Sequence, residues 1–128
     1  MLATALAHPT VFVRDLDRAR AFYENLGLKV SAEVSTGIFM TAGAGTIFPL
    51  IFRADAVAPS HTIAAFQVED LPGVVAGLRE RGVVFEEYDT PGLRTVDGVA
   101  EMGDYRAAWL KDPDGNFIGL HEPPRRGG

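Results

Sequence analysis

Two stretches of the sequence are variants of one pattern, and that pattern decides the fold. The first is VFVRDLDRARAFYENLGLKV, Val11–Val30, and the second is FQVEDLPGVVAGLRERGVVF, Phe66–Phe85. They align at a constant offset of 55 residues, which places Asp15 over Asp70. Each begins as an apolar strand, continues with an Asp that can N-cap a helix, and reaches a Gly where the helix can end in a left-handed residue. The chain is therefore predicted to contain two copies of one supersecondary unit.

Three short strand candidates follow each predicted helix. They are Lys29–Val34, Gly37–Thr41 and Thr46–Arg53 in the first copy, and Val84–Tyr88, Tyr105–Lys111 and Asn116–Glu122 in the second. The order β-α-β-β-β, written twice, predicts an α+β fold. We expect one domain over residues 1–128, made of repeats at about 5–54 and 61–122, with a disordered tail at 123–128.

Composition excludes several classes of function. The chain has 128 residues, a formal net charge of −5 and no cysteine. The acidic balance argues against a nucleic-acid partner, and the missing cysteine removes disulfides and thiolate metal sites. No apolar stretch approaches the roughly 20 residues that span a bilayer, and the N-terminal MLATALA lacks the features of a secretory signal. We expect a cytoplasmic protein with no membrane partner.

Two segments between predicted strands are interpreted differently, one as a long loop and the other as a tight turn. Asp89–Asp104 is the longest irregular segment, so it is either a lid or an ordinary surface loop. DPDG, Asp112–Gly115, has Asp, Pro and Gly at the places favoured in a type I turn, so it is predicted to be a turn and not a metal-binding loop.

The combined motifs resemble the vicinal oxygen chelate superfamily, which includes glyoxalase I, extradiol dioxygenases and the bleomycin resistance proteins. The stretches HPTVFVRDLDRARAFYENLGLKV, FQVEDLPGVVAGLRERGV and AAWLKDPDGNFIGLHE carry the resemblance over nearly the whole chain. It implies two β-α-β-β-β modules that form a half-open barrel around a cavity. It also implies a homodimer, because small members usually pair.

In metal-dependent relatives, four cavity-facing positions supply His, Gln or Glu to one divalent ion, which polarises adjacent substrate oxygens. The resemblance places these positions at His8, Ile63, Gly119 and a residue near Pro49 or Leu50. Only the first can bind a metal. We therefore predict no metal and no cofactor.

Nearby residues are poor substitutes for the missing ligands. His61 and His121 keep the side-chain parity of Ile63 and Gly119 but are displaced by two residues in opposite directions. On parallel neighbouring strands this separates them by roughly 13 Å, too far to share an ion. Glu122 has the opposite parity and should point away from the cavity.

An apolar cavity with aromatic walls remains. We expect the pocket to be lined by His8, Phe12, Phe48, Ile63, Tyr105 and Trp109. Such a pocket suits metal-free binding of an aromatic or amphipathic small molecule, in a sequestration or carrier role like that of the bleomycin resistance proteins.

Two other functions stay open. One is a lyase, isomerase or dioxygenase of the glyoxalase type acting on a vicinal dioxygen substrate, with His8 as the only candidate catalytic residue. The other is a structural or regulatory dimer without a ligand. Whether the protein is an enzyme is left undecided by the sequence.

Overall fold

The computed structural model describes residues 1–124, which divide into two compact units that meet in sequence between Ala58 and Pro59. The first unit contains β1 (Val11–Val13), α1 (Leu16–Leu26), β2 (Lys29–Val34), β3 (Gly37–Thr41) and β4 (Ile47–Phe52). The second contains β5 (Thr62–Gln67), α2 (Leu71–Glu80), β6 (Asp89–Thr90), β7 (Leu93–Val96), β8 (Val99–Glu101), β9 (Arg106–Lys111) and β10 (Phe117–Glu122). The predicted tail lies, from residue 125 onward, outside the described residues.

The first unit is a four-stranded sheet with α1 packed against it. Its strand order is β1-β4-β3-β2, with β1 parallel to β4 and the other pairs antiparallel. The predicted helix cap is confirmed, because the Asp15 carboxylate accepts a hydrogen bond from the Arg18 amide at 3.0 Å. Gly27 ends the helix at φ +110°, as its position predicts. Tyr23, fully buried on α1, packs its ring 4.9 Å from that of Phe48 on β4.

The second unit repeats this plan with a larger sheet. Its order is β5-β10-β9-β8-β7-β6, with β5 parallel to β10. Asp70 caps α2 through a hydrogen bond from the Gly73 amide, and α2 packs against β8, β9 and β10. Two sheets, each with its own helix, confirm the predicted α+β class.

Glu122, the last residue of β10, connects that strand to α2. Its side chain is 6% exposed and accepts a hydrogen bond from the Leu71 amide at 3.0 Å. This amide belongs to the first turn of α2, where helix N–H groups lack partners within the helix. Glu122 therefore points to the helix side of the sheet, as its parity predicts.

Two predictions for the segment between α2 and β9 were wrong. Val84–Tyr88 is not a regular strand, because its only ladder pairing is a single bridge from Phe85 to Leu110. The segment 89–104 is not irregular, because most of it forms the consecutive hairpins of β6, β7 and β8. Asp97 and Gly98, at φ +51° and +81°, make the tight turn between β7 and β8.

The DPDG prediction is confirmed. The Gly115 amide donates to the Asp112 carbonyl at 2.9 Å, which closes the turn. One Asp112 carboxylate oxygen accepts from the amides of Asp114 and Asn116 at 2.9 Å each. This carboxylate is therefore occupied in holding the turn that joins β9 to β10.

Candidate functional site

The candidate site lies on the face of the second sheet that is opposite α2, which we call the distal face. Leu110, Ile118 and Leu120 are buried on the helix side. Because side chains alternate along a strand, the residues between them, Trp109 and Gly119, point to the distal face. Strand pairing and ring contacts extend this face to Thr62, Ala65, Gln67, Glu86, Tyr88, Ala100, Ala107, Lys111, Phe117 and His121.

Trp109 stands beside Gly119, which has no side chain on the distal face. The two residues are paired across β9 and β10, and Ala65 is the partner of Gly119 on β5. A Cβ atom at position 119 would lie 3.8 Å from Trp109 Cδ1, 3.6 Å from Ala65 Cβ and 3.3 Å from Thr62 Cγ2. The half-buried indole thus lies next to Gly119, with Ala65 and Thr62 on the other side of that glycine. Gly119 is itself buried, with the Trp109 indole, Ala65 and the Thr62 methyl group close around the space above its Cα.

Tyr88 completes the aromatic part of the distal face. Its ring meets Trp109 edge to face, with centroids 5.7 Å apart and an interplanar angle of 82°. Burial raises the pKa of Tyr88 above its ordinary value, and the nearby Glu86 carboxylate raises it further. The hydroxyl is therefore neutral at physiological pH and can donate a hydrogen bond. The sequence signal for Tyr88 was its alternation with Glu86, which puts both on one side of an extended segment.

His121 and Gln67 form the polar part of the distal face. They are register partners on the parallel strands β10 and β5. Within residues 1–124, neither the His121 ring nor the Gln67 amide group makes a hydrogen bond to another residue. The sequence presented His121 only as a displaced metal ligand, and Gln67 was missed.

An ion pair marks the other end of the distal face. Lys111 Nζ lies 3.7 Å from the Glu86 carboxylate and 4.9 Å from the ring centroid of Phe117, its partner on β10. The face therefore carries three successive zones: His121 with Gln67, the aromatic zone of Trp109 and Tyr88, and this ion pair.

The predicted pocket residues of the first unit do not act together. Phe48 is 4% exposed and packs against Tyr23 in the core beneath α1. Phe12 is 41% exposed and pairs with Ile51, whose side chain has the opposite parity to Phe48 on β4. The prediction that Phe12 and Phe48 wall one pocket therefore fails, because they lie on opposite faces of one sheet.

His8 precedes β1 and is exposed. Its Nδ1 atom lies 3.0 Å from the Pro9 carbonyl oxygen. Its role as a pocket or catalytic residue stays a prediction.

Two predicted residues of the second unit are displaced from the centre of the distal face. Ile63 falls in a β-bulge, since Thr62 pairs with Phe117 and Ala64 with Ile118, which leaves Ile63 without a partner on β10. Tyr105, 38% exposed, precedes β9 and is four residues from Trp109, or roughly 13 Å at strand rise. The aromatic neighbour of Trp109 is therefore Tyr88 and not Tyr105.

The described residues do not fit the metal site of the chelate mechanism. Among residues 1–124, no group of three or more His, Asp or Glu side chains is arranged to hold an ion. His61 precedes Thr62, whose partner Phe117 is four residues from His121, so the two histidines are separated by more than roughly 13 Å.

Comparison with known proteins agrees with this architecture. The family model described as "Glyoxalase/Bleomycin resistance protein/Dioxygenase superfamily" matches residues 5–120. The chain belongs to this superfamily. The resemblance seen in the sequence is thereby confirmed. A search of curated proteins finds no match to the chain.

Solved structures of the superfamily share the fold at low sequence identity. A glyoxalase family protein from Bacillus anthracis is 18% identical with a TM-score of 0.74, covering 94% of this chain and 95% of its own. The bleomycin resistance determinant encoded on the transposon Tn5 is 20% identical with a TM-score of 0.73, covering 94% and 98%. The fosfomycin resistance protein FosX from Listeria monocytogenes is 22% identical with a TM-score of 0.67, covering 95% of each chain. Identities this low establish the fold alone.

No helix within the described part of the chain has the length and apolar character needed to cross a bilayer.

Proposed function

We propose that this protein binds an aromatic or amphipathic small molecule without a metal, in a sequestration or carrier role, and that the distal face of the second sheet is the binding surface. The observation that carries the proposal is the position of Trp109 beside Gly119. Where the resemblance implies a metal-binding carboxylate, this chain has Gly119 next to an indole. The exchange replaces an ion site with a surface for a flat ring.

A structural relative supports binding as the type of function. A bleomycin-binding protein whose structure was solved with bleomycin is 21% identical, with a TM-score of 0.72 and coverage of 93% of this chain and 98% of its own. A protein with this fold thus binds a small molecule. A cytoplasmic homodimer, without nucleic-acid or membrane partners, completes the proposal, and static light scattering tests the dimer.

A glyoxalase-type enzyme acting on a vicinal dioxygen substrate is the second candidate. The observation that favours it is His121, an imidazole on the same face as Trp109 and with no hydrogen bond to another of residues 1–124. Such a group can serve as a general base near neutral pH. His8 keeps the same possibility for the first unit. Turnover of a vicinal dicarbonyl compound by the metal-stripped protein, lost in His121→Asn, would support this candidate.

The test of the binding proposal uses the only tryptophan of the chain as reporter. The protein is titrated with bleomycin and with quinoline, and indole emission and calorimetric heat are followed together. We expect a saturable change in emission for at least one compound, with the same midpoint in both readouts. No saturable signal with either compound would contradict the proposal.

A matched pair of variants locates the binding surface. Gly119→Leu adds a side chain against Trp109, whereas Gly77→Leu adds the same side chain on α2, where a Cβ meets nothing within 4 Å. We expect the first variant to lose binding by at least about tenfold, a change of about 1.4 kcal/mol, and the second to bind like wild type. Equal affinities of the two variants would place the ligand elsewhere.

A further inference from the structure

We infer that His121 and Gln67 recognise a neutral hydrogen-bonding edge of a planar heterocyclic ligand whose ring lies against Trp109. The recognised edge has a donor and an acceptor side by side, as in a lactam or a cyclic amide. This inference rests on the proposed binding function and adds the chemical class of the ligand.

The first step is the adjacency of the two side chains. His121 and Gln67 are direct register partners on β10 and β5, and neighbouring strands lie about 4.8 Å apart. Both side chains point to the distal face, since each is two residues from a member of the Gly119–Ala65 pair. They therefore extend from adjacent points on one surface, with a spacing suited to two neighbouring ligand atoms.

The second step is their chemistry. A neutral imidazole has one donor and one acceptor nitrogen, and a primary amide has an N–H donor and a C=O acceptor. Within the described residues none of these groups is used in a hydrogen bond to another side chain or to the backbone. The pair can thus meet a ligand N–H and a ligand C=O at the same time.

The third step is the uncharged character of the residues next to His121 on β9 and β8. Ala107 is the partner of His121 on β9, and Ala100 is the partner of Ala107 on β8. The ion pair of Lys111 and Glu86 lies at Phe117, four residues or roughly 13 Å along β10 from His121. A neutral edge matches this environment better than a carboxylate or an ammonium group, which would be desolvated without a partner of opposite charge.

The fourth step is the distance to the aromatic zone. His121 pairs with Ala107, and Ala107 is two residues from Trp109, or roughly 7 Å at strand rise. A two-ring heterocycle is long enough to span the distance between His121 and Trp109. One ligand can therefore contact the indole with its ring and the polar pair with its edge.

The experiment compares three two-ring probes by calorimetry. Carbostyril has adjacent N–H and C=O groups, N-methylcarbostyril lacks the N–H donor, and quinoline has only a ring nitrogen acceptor. We expect wild-type protein to bind carbostyril about tenfold more tightly than N-methylcarbostyril, the effect of one retained hydrogen bond. His121→Phe and Gln67→Leu should each bind these two probes within about twofold of each other, with quinoline affinity kept.

His61→Phe is the matched control. His61 is the other histidine of the second unit, and it is exposed and precedes β5. This variant should keep the wild-type preference for carbostyril. Urea unfolding of every variant verifies that it is folded.

Several results would overturn the inference, and they separate it from the proposed function. Equal wild-type binding of all three probes would remove edge recognition while leaving aromatic binding intact. A carbostyril preference retained in both His121→Phe and Gln67→Leu would assign recognition to other residues. Failure of every probe, together with bleomycin, would remove both proposals. Wild-type affinity that weakens as protein concentration rises would assign the distal face to a contact between copies of the chain.

Discussion

Trp109 is the single residue on which the proposed binding surface most depends. It is half-buried, and a fully buried tryptophan changed to alanine typically costs 3–5 kcal/mol in stability. We expect Trp109→Ala to cost about 1–2 kcal/mol in the free energy of unfolding, because part of the indole already meets solvent. Ligand affinity should fall by more than about tenfold, since the ring contact is lost altogether.

Urea unfolding and calorimetric titration of the same samples measure the two effects of Trp109→Ala. Tyr105→Ala is the control, because Tyr105 is also an aromatic residue but lies roughly 13 Å away along the strand. A loss of stability equal to the loss of binding energy would mean that Trp109 is a core residue.

Tyr88 gives the protein a stability change that is confined to high pH. Burial, followed by the Glu86 charge, raises the folded-state pKa of Tyr88 above the ordinary value of 10.0. Above pH 10 the unfolded chain releases this proton before the folded chain does, so stability falls as pH rises through the folded pKa. Below pH 10 the contribution is constant. Tyr88→Phe should therefore lose less stability than wild type between pH 9 and pH 11, as measured by urea midpoints. Parallel curves across that range would contradict the assignment.

Among the elements, β10 and α2 are coupled through Glu122. Its carboxylate accepts from the Leu71 amide in a buried position. Glu122→Leu leaves that amide without its acceptor and should cost about 1–3 kcal/mol in the free energy of unfolding. Glu122→Gln keeps a carbonyl acceptor of the same shape and should cost less. Similar losses for the two variants, measured by urea denaturation, would show that charge and not the hydrogen bond matters.

The two hairpin turns between β6 and β8 provide a matched pair of glycines. Gly92 and Gly98 have nearly the same backbone conformation, at φ +87° and +81°. A Cβ on Gly92 meets nothing within 4 Å, whereas one on Gly98 would lie 3.2 Å from Phe85 Cβ and 3.1 Å from Arg79 Nη2. Each change to alanine should cost about 1–2 kcal/mol for the left-handed backbone, and Gly98→Ala about 1 kcal/mol more for crowding. Thermal unfolding of the two variants would refute this if Gly92→Ala were the less stable.

The sequence predicted those elements whose signals are local. Both helix caps and the Asp112–Gly115 turn appear where Asp and Gly residues indicate them. The hairpins within 89–104 were missed although Asp97-Gly98 is a common hairpin turn pair, because the flanking strands are only two to four residues long. The composition of segment 84–88 is typical of a strand, yet the segment forms only one bridge, from Phe85 to Leu110. Strand pairing depends on residues far away in the sequence, which local composition does not reveal.

The site was predicted less well than the elements, for a similar reason. Parity along one strand relates Tyr105 to Trp109, but the relative faces of Phe12 and Phe48 depend on the register between β1 and β4. The assignment of Ile63 to a ligand position assumes that the strand before Asp70 is unbroken, and a β-bulge interrupts that strand. Gln67 becomes significant only once its pairing with His121 is known.

For the molecule as a whole, metal content decides between the two candidate functions. We expect protein incubated with Ni, Mn, Fe, Co and Zn salts and then dialysed to hold close to no metal per chain by elemental analysis. The physical reason is that a stable site needs three or more ligands around one point, and none is found within residues 1–124. A content near one ion per chain would mean that His61, His121 or Glu122 is recruited, and isomerase and dioxygenase assays would then come first.

The glycine at position 119 also has a consequence for how the protein can mutate. Every glycine codon becomes an aspartate or glutamate codon through one transition at its second base, so one mutation would place a carboxylate at the position where metal-dependent relatives are expected to have one. Its Cβ would start 3.8 Å from the indole of Trp109, on the surface proposed for the ligand. The same nucleotide change would therefore add bulk and a negative charge to the surface proposed for the ligand. A variant with that carboxylate is therefore expected to lose the proposed aromatic binding.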